Sequence, residues 1–236
     1  WVSDTFKQKY EENNQSYIFE YNYKDRLIVR MGYMFNYNSA GERMANNTIK
    51  SNSFSIRAGL ESAGNVMYAI SNLTKQSKNS DGEYSLLSIP YAQYVKGDFD
   101  FSRNIVIDDK NAIAYHVGVG IAVPYGNSKS IPYIKQYFSG GANSVRGWSV
   151  RELGPGSFPG DGNYLNQSGD IKFDASIEYR SKLFWLLQGA LFVDAGNIWT
   201  IKEYENQPGG QFDISKFYKQ IAFAYGLGIR IDLDYL

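Results

Sequence analysis

Cysteine is absent, which excludes a disulfide scaffold, a thiolate metal site and a cysteine nucleophile. Histidine is almost absent: His116 stands alone, so no histidine cluster can hold zinc, and only one imidazole is available for acid–base chemistry. Neither sign of charge is in excess. With 24 basic and 24 acidic side chains among 236 residues, nothing points to nucleic acid or another polyanion. No Gly-x-Ser-x-Gly elbow and no Walker loop occurs. Long apolar runs are missing as well; nowhere do about 18 apolar residues stand together, so no membrane-spanning helix is readable. The mean hydropathy of −0.40 resembles that of a soluble protein, yet barrels that cross membranes also score low because alternate residues face water. The chain starts at Trp1 without a signal peptide, as expected of a processed or excised piece.

What the sequence has in plenty is alternation. In Ala222 to Tyr235 the odd positions are Phe223, Tyr225, Leu227, Ile229, Ile231, Leu233 and Tyr235, whereas the even ones are small and then charged. The same split separates Ile113, Tyr115, Val117, Val119, Ile121 and Val123 from Ala114, His116, Gly118, Gly120 and Ala122. Such segments are long enough to cross a bilayer at a tilt. About nine strands are predicted, near 15–23, 26–37, 52–61, 66–71, 90–107, 111–123, 169–180, 184–196 and 220–235. Short links at 24–25, 62–65, 108–110 and 181–182 alternate with long ones at 38–51, 72–88, 124–169 and 197–219. Sorting loop length by end is a habit of outer-membrane barrels, with short periplasmic turns and long external loops. The expected fold is therefore an all-β transmembrane antiparallel β-barrel. An odd strand count leaves the ends on opposite sides, and Ile221 to Tyr235 would be an apolar edge, so residues 1–236 are expected to be part of one larger barrel domain.

The link over 124–169 exceeds the roughly 12–15 residues usual for an unstructured connection, and is expected to have a structure or function of its own. Gly140 and Gly141 permit a tight reversal, and Gly147 permits close approach. Its stretch Phe138-Ser139-Gly140-Gly141-Ala142-Asn143-Ser144-Val145-Arg146-Gly147-Trp148, with Leu153-Gly154-Pro155-Gly156, resembles the sixth external loop of the BamA/TamA superfamily of outer-membrane proteins, the bacterial surface antigen family. There a Val/Ile-Arg-Gly-aromatic core marks a loop folded into the barrel lumen; here Trp148 fills the aromatic position. Ala175-Ser176-Ile177-Glu178-Tyr179-Arg180 and Leu191-Phe192-Val193-Asp194-Ala195-Gly196-Asn197-Ile198-Trp199 resemble the two strands that follow, and the wording is most like TamA-like members from Bacteroidota. The resemblance implies a 16-stranded barrel of which strands 6 to 14 are present, the terminal strands and periplasmic POTRA repeats lying elsewhere.

Alternation also places the partners of that loop. Phe173, Ala175, Ile177 and Tyr179 share the apolar face, so Glu178 points inward; Leu187, Leu191 and Val193 do likewise, so Asp194 points inward too. Arg146 between them would make charge-assisted hydrogen bonds to each, which predicts Val145, Arg146, Gly147 and Trp148 as a lumen anchor, while Arg151 is expected to lack matched partners. His116, Asp98 and Asp100 read as polar wall residues rather than as a catalytic base or, with Asp108 and Asp109, a calcium site, and Gly118-Val119-Gly120 reads as small-residue wall. No catalytic residue, metal or cofactor is expected. The resemblance implies a bacterial outer-membrane factor that inserts or translocates other proteins, with outer-membrane lipid, unfolded outer-membrane or secreted clients and periplasmic or lipoprotein accessory subunits as partners, and no nucleic acid. A passive or two-partner-secretion pore and the barrel anchor of a patatin-like lipase are the alternatives.

Overall fold

Alternating side chains produce one sheet. The computed structural model describes residues 25–39, 52–160, 166–184 and 186–231. In chain order it contains β1 (Arg30–Asn38), β2 (Ser53–Ala63), helix α1 (Asn65–Leu73), a two-residue hairpin of β3 (Ser85–Leu86) and β4 (Ile89–Pro90), then β5 (Tyr94–Val106), β6 (Asn111–Pro124), β7 (Ile171–Phe184), β8 (Leu187–Trp199) and β9 (Ala222–Ile231). Seven of these strands form a single antiparallel sheet in the order β1-β2-β5-β6-β7-β8-β9, a simple meander that is open among the described residues.

Register aligns the apolar positions into a continuous outer face. Phe99, Val119 and Phe173 lie abreast on β5, β6 and β7, as do Tyr179, Leu191 and Leu227 on β7, β8 and β9. All but the half-buried Phe173 are exposed, Leu227 to 81%, as is Tyr225 of the same face to 87%, whereas the inner-face carboxylates Asp174, Glu178 and Asp194 are buried, Asp194 to the point of 0% exposure. So wide an apolar surface turned outward would be unfavourable against water by about 25 cal/mol per Å². Against lipid it is the natural arrangement.

Three expectations are corrected here. Residues 66–71 are not a strand but the core of α1, because Val66, Ile70 and Leu73 recur at the spacing of a helix face and Gly64 turns the chain with φ +75°. This changes the parity of the meander. The ends that flank 39–52, Asn38 and Ser53, consequently lie at the end of the sheet that carries 107–110 and 185–186, not with the long loops 125–170 and 200–221. Residues 40–51 themselves, and the strand expected near 15–23, are outside the described residues. The tight turn expected at Ser181-Lys182 is displaced, β7 running on to Phe184, which pairs with Leu187, through an irregularity between Lys182 and Phe184.

If the outer face meets lipid, Val119→Arg or Leu227→Arg should destabilise the protein by about 2–4 kcal/mol near the bilayer midplane, measured by urea refolding in vesicles. A cost near zero at both positions would mean that this face meets water.

Candidate functional site

The long link between β6 and β7 lies across the inner face, and it is seated on glycines and alanines of the wall. Near its start Tyr137 lies over Gly120, where an added Cβ would stand 2.5 Å from the ring; its hydroxyl donates to Asp98 at 2.7 Å, and Lys96 Nζ sits 3.9 Å from the ring centre. Lys135 pairs with Glu61 of β2 at 2.9 Å, and Lys96 donates to the Lys135 carbonyl at 3.0 Å. At the far side Val145 packs into the space left by Gly196, where a Cβ would approach to 2.9 Å. Val145, Leu153 and Ala224 form a buried cluster against which Trp148 packs.

Between Gly140 and Trp148 the chain makes a compact reversal, closed by the Gly141 amide donating to the Trp148 carbonyl at 2.8 Å. Three glycines carry it: Gly140, Gly141 and Gly147 have φ of +97°, +88° and +102°. For Gly147 it is this dihedral rather than crowding that requires glycine, since an added Cβ would only reach Ala224 at 3.5 Å.

Arg146 projects from that reversal onto β7 and β8. Its Nε and Nη2 donate to Asp194 Oδ2 and Oδ1, both at 2.7 Å, its own amide donates to Asp194 Oδ2 at 3.0 Å, and Nη1 donates to Glu178 Oε2 at 2.8 Å. The guanidinium lies 3.5 Å above the centre of the Phe192 ring, the cross-strand neighbour of Glu178. Gly226 of β9 makes room for that ring; a Cβ there would meet Phe192 Cζ at 2.8 Å. Glu178 is shared: Arg180 Nε at 2.8 Å and Arg230 Nη2 at 2.6 Å also hold it. Asp194 differs, because every contact described for its carboxylate comes from Arg146. The planar fork therefore satisfies two carboxylates at its edge and an aromatic face below.

Arg146, Glu178 and Asp194 are the anchor residues expected from the sequence; Phe192, Arg180 and Arg230 join them in the structure. Their inward parity was visible; which of them stand level across neighbouring strands depends on register. Arg151, expected to lack matched partners, is sandwiched near Tyr133 and Phe138, 4.9 Å and 4.8 Å from their ring centres, and donates to the Tyr133 hydroxyl. His116 faces inward with Nε2 3.2 Å from Asp100 and Nδ1 3.3 Å from Asp174, which Lys172 also pairs at 2.7 Å. Asp108 is apart from these, capping the 107–110 turn through the amides of Lys110 and Asn111.

Where the loop returns, it is tied to the next one. The Gly156 amide donates to the Ile198 carbonyl at 2.7 Å, that of Ser157 to Gly209 at 3.1 Å, and Gln207 Nε2 reaches the carbonyls of Asn166 and Ser168. Asp170 is buried at this junction, 1% exposed, and accepts from the Ile201 amide at 3.1 Å. Burial pushes its carboxyl up to about 6.

A family model described as the Omp85 superfamily domain matches residues 3–234. The outer membrane protein assembly factor BamA of Neisseria meningitidis is 35% identical over 97 residues, which cover 37% of this chain and 12% of that protein. The sorting and assembly machinery component 50 homolog of Mus musculus is 26% identical over 157 residues, 60% of this chain and 32% of that protein, and the Homo sapiens homolog gives the same figures. The matches thus span about a third or less of the length of these relatives. Among solved structures, BamA from Haemophilus ducreyi lacking POTRA domains 1-3 aligns with 86% of this chain and 48% of its own at 17% identity, with a TM-score of 0.46.

The geometry makes Asp194 more dependent on Arg146 than Glu178 is. Arg146→Ala should cost about 3–5 kcal/mol, as breaking a buried ionic cluster does, and Arg146→Lys should recover little because an ammonium cannot hold both carboxylates in one plane. In double-mutant cycles the Arg146–Asp194 coupling should exceed the Arg146–Glu178 coupling, since Glu178 keeps Arg180 and Arg230. Equal couplings, or an Arg151→Ala loss as large as that of Arg146→Ala, would contradict the assignment. Asp170 carries a separate pH dependence. Between about pH 4 and 6 the unfolded carboxyl releases its proton while the folded one retains it, so stability should fall as pH rises through that window and level off above it. Asp170→Asn should flatten the curve in thermal scans.

Proposed function

The chain belongs to the Omp85 superfamily, and on that premise we propose that it is the wall and inner brace of a non-enzymatic factor that assists the insertion of proteins into the bacterial outer membrane. It is an antiparallel β-barrel protein of that membrane. The observation that carries the proposal is Arg146: one loop side chain bonded to inner-face carboxylates of two successive strands, on a loop that crosses the inner face from Glu61 on β2 to Ala224 on β9. An open passage needs no such brace. A barrel that handles unfolded clients does, because it must keep its wall in register while another part of it yields.

Counting outward from this loop as the sixth external one, the seven sheet strands are the eighth to fourteenth of a 16-stranded barrel. With 66–71 helical, the count of sixth to fourteenth shortens to seventh to fourteenth, the seventh being the strand expected near 15–23, which lies outside the described residues. The relatives named above carry assembly functions in their names, and the partners that fit the same role are unfolded outer-membrane clients, accessory subunits and lipid. The action on a client would be β-augmentation, a client strand pairing with an exposed barrel edge.

In cells depleted of the native protein, Arg146→Ala should restore outer-membrane client levels several-fold less well than Arg151→Ala at equal expression. Amine labels added to intact cells should modify Lys75 and Lys202 while sparing Lys110. Full client assembly by Arg146→Ala would remove the brace from the function, and labelling of Lys110 with protection of the other two would invert the topology.

A further inference from the structure

The outer face is not uniformly filled. At the end of the sheet that carries the long loops, β5 presents Gly97 outward, between Leu60 of β2 and Ile121 of β6, and a Cβ added at Gly97 meets nothing within 4 Å. Phe99, Val119 and Phe173 form the floor beside this gap. Across it, the loop that follows β8 folds over the outside of the wall: Phe212 and Phe217 cover Trp199, with ring centres 5.6 Å and 6.4 Å away, leaving Trp199 only 1% exposed although it lies on the outer face. Trp199 is fixed from behind by its Nε1 donating to Gln220 at 2.8 Å. Floor and overhang enclose a groove of about 500 Å³ whose walls are almost wholly apolar.

The overhang is amphipathic in a particular sense. Phe212, Ile214, Phe217 and Tyr218 are its apolar residues, Ile214 being 75% and Tyr218 57% exposed, and Lys216 and Lys219 stand among them with one carboxylate, Asp213, which Lys216 pairs at 3.4 Å, so the segment carries one cation in excess. Apolar side chains over a hydrocarbon-lined groove, with a net positive charge on the short segment that carries Phe212 and Phe217, match a molecule that has a long apolar tail and an anionic head. The groove also continues the lipid-facing surface, so acyl chains are what surrounds it.

We propose that this groove is a lipid site that holds one acyl chain of an anionic, phosphate-bearing membrane lipid against Gly97 and Trp199, with its head near Lys216 and Lys219. Gly97 leaves the space, the aromatic overhang covers the chain, and the lysines select the head. Such a site distinguishes a retained lipid from the exchanging lipid of the rest of the belt.

Trp199 is the reporter. The purified protein in maltoside micelles is titrated with phosphatidylglycerol brominated on its acyl chains, and quenching is read on the part of the tryptophan emission that Trp199→Phe removes. Quenching should saturate near one lipid per protein. Gly97→Leu, which fills the gap, should raise the half-saturating lipid concentration tenfold or more, and Phe212→Ala, which opens the overhang without touching the strand wall, should raise it as well. Replacing Lys216 and Lys219 by alanine should bring phosphatidylglycerol to the weaker level of brominated phosphatidylcholine. Quenching that rises linearly with lipid and is unchanged by Gly97→Leu would overturn the proposal, leaving ordinary belt contact. It would also be overturned if Gly97→Leu left quenching intact and abolished self-association in sedimentation, because the occupant would then be a second copy.

Discussion

The contact between Arg146 and Asp194 fixes the relation between the loop and the wall. Asp194 is fully buried, and its described partners are the side chain and backbone amide of one loop residue. A carboxylate in that position is strongly unfavourable unless a cation reaches it. No arginine of the neighbouring strands is described in contact with it, although two of them reach Glu178 nearby. The loop must therefore come to β8, and the other features of the inner face follow from its having to fit there.

Fit explains the composition of the inner wall. Gly120, Gly196 and Gly226 lie on three different strands, and each stands under a ring or branched side chain that a Cβ would displace: Tyr137, Val145 and Phe192. The small residues that looked in sequence like a featureless wall are the negative of what covers them: two loop side chains over Gly120 and Gly196 and, over Gly226, the β8 ring on which the loop's Arg146 stacks. The same alternation that turns Val119 and Leu227 to lipid thus turns glycine and alanine to the loop, and one period-two pattern serves two surroundings.

Parity was legible in the sequence, and register was not. Glu178 and Asp194 could be assigned to the inner face from the alternation of their own strands, and Arg146 from the motif that frames it. A turn at Ser181-Lys182 would set 180 opposite 183 and hence 178 opposite 185, far from Asp194; with Phe184 opposite Leu187, Glu178 pairs with Phe192 and the carboxylates come within reach of one guanidinium. The stacked Phe192 and the extra arginines on Glu178 were hidden for this reason. α1 was missed for another: Val66, Ile70 and Leu73 carry a helix period, but in a chain dominated by alternation a short apolar run fits both readings. That single substitution of helix for strand moved Asn38 and Ser53, the strand ends that flank 39–52, to the opposite end of the sheet, since each strand added to or removed from a meander reverses everything beyond it.

Magnitudes separate what specifies the loop from what stabilises it. Ordering some 40 loop residues costs about 1–2 kcal/mol each in backbone entropy, tens of kcal/mol in all. An ionic cluster of about 3–5 kcal/mol cannot offset that. The balance must come from burial of Ile131, Tyr137, Val145, Leu153 and Phe158, each at most 9% exposed, and from the backbone bonds that join the loop to itself, to β8 and to the 200–221 loop. Those contacts are distributed and largely non-directional, so they would tolerate a shifted placement. Arg146 would not, because its fork meets Asp194 and Glu178 in one geometry only. Its role in the fold is to select a single seat for a loop that is held down by everything else, so that replacing it acts on where the loop lies across β7, β8 and β9 more than on whether the loop is folded.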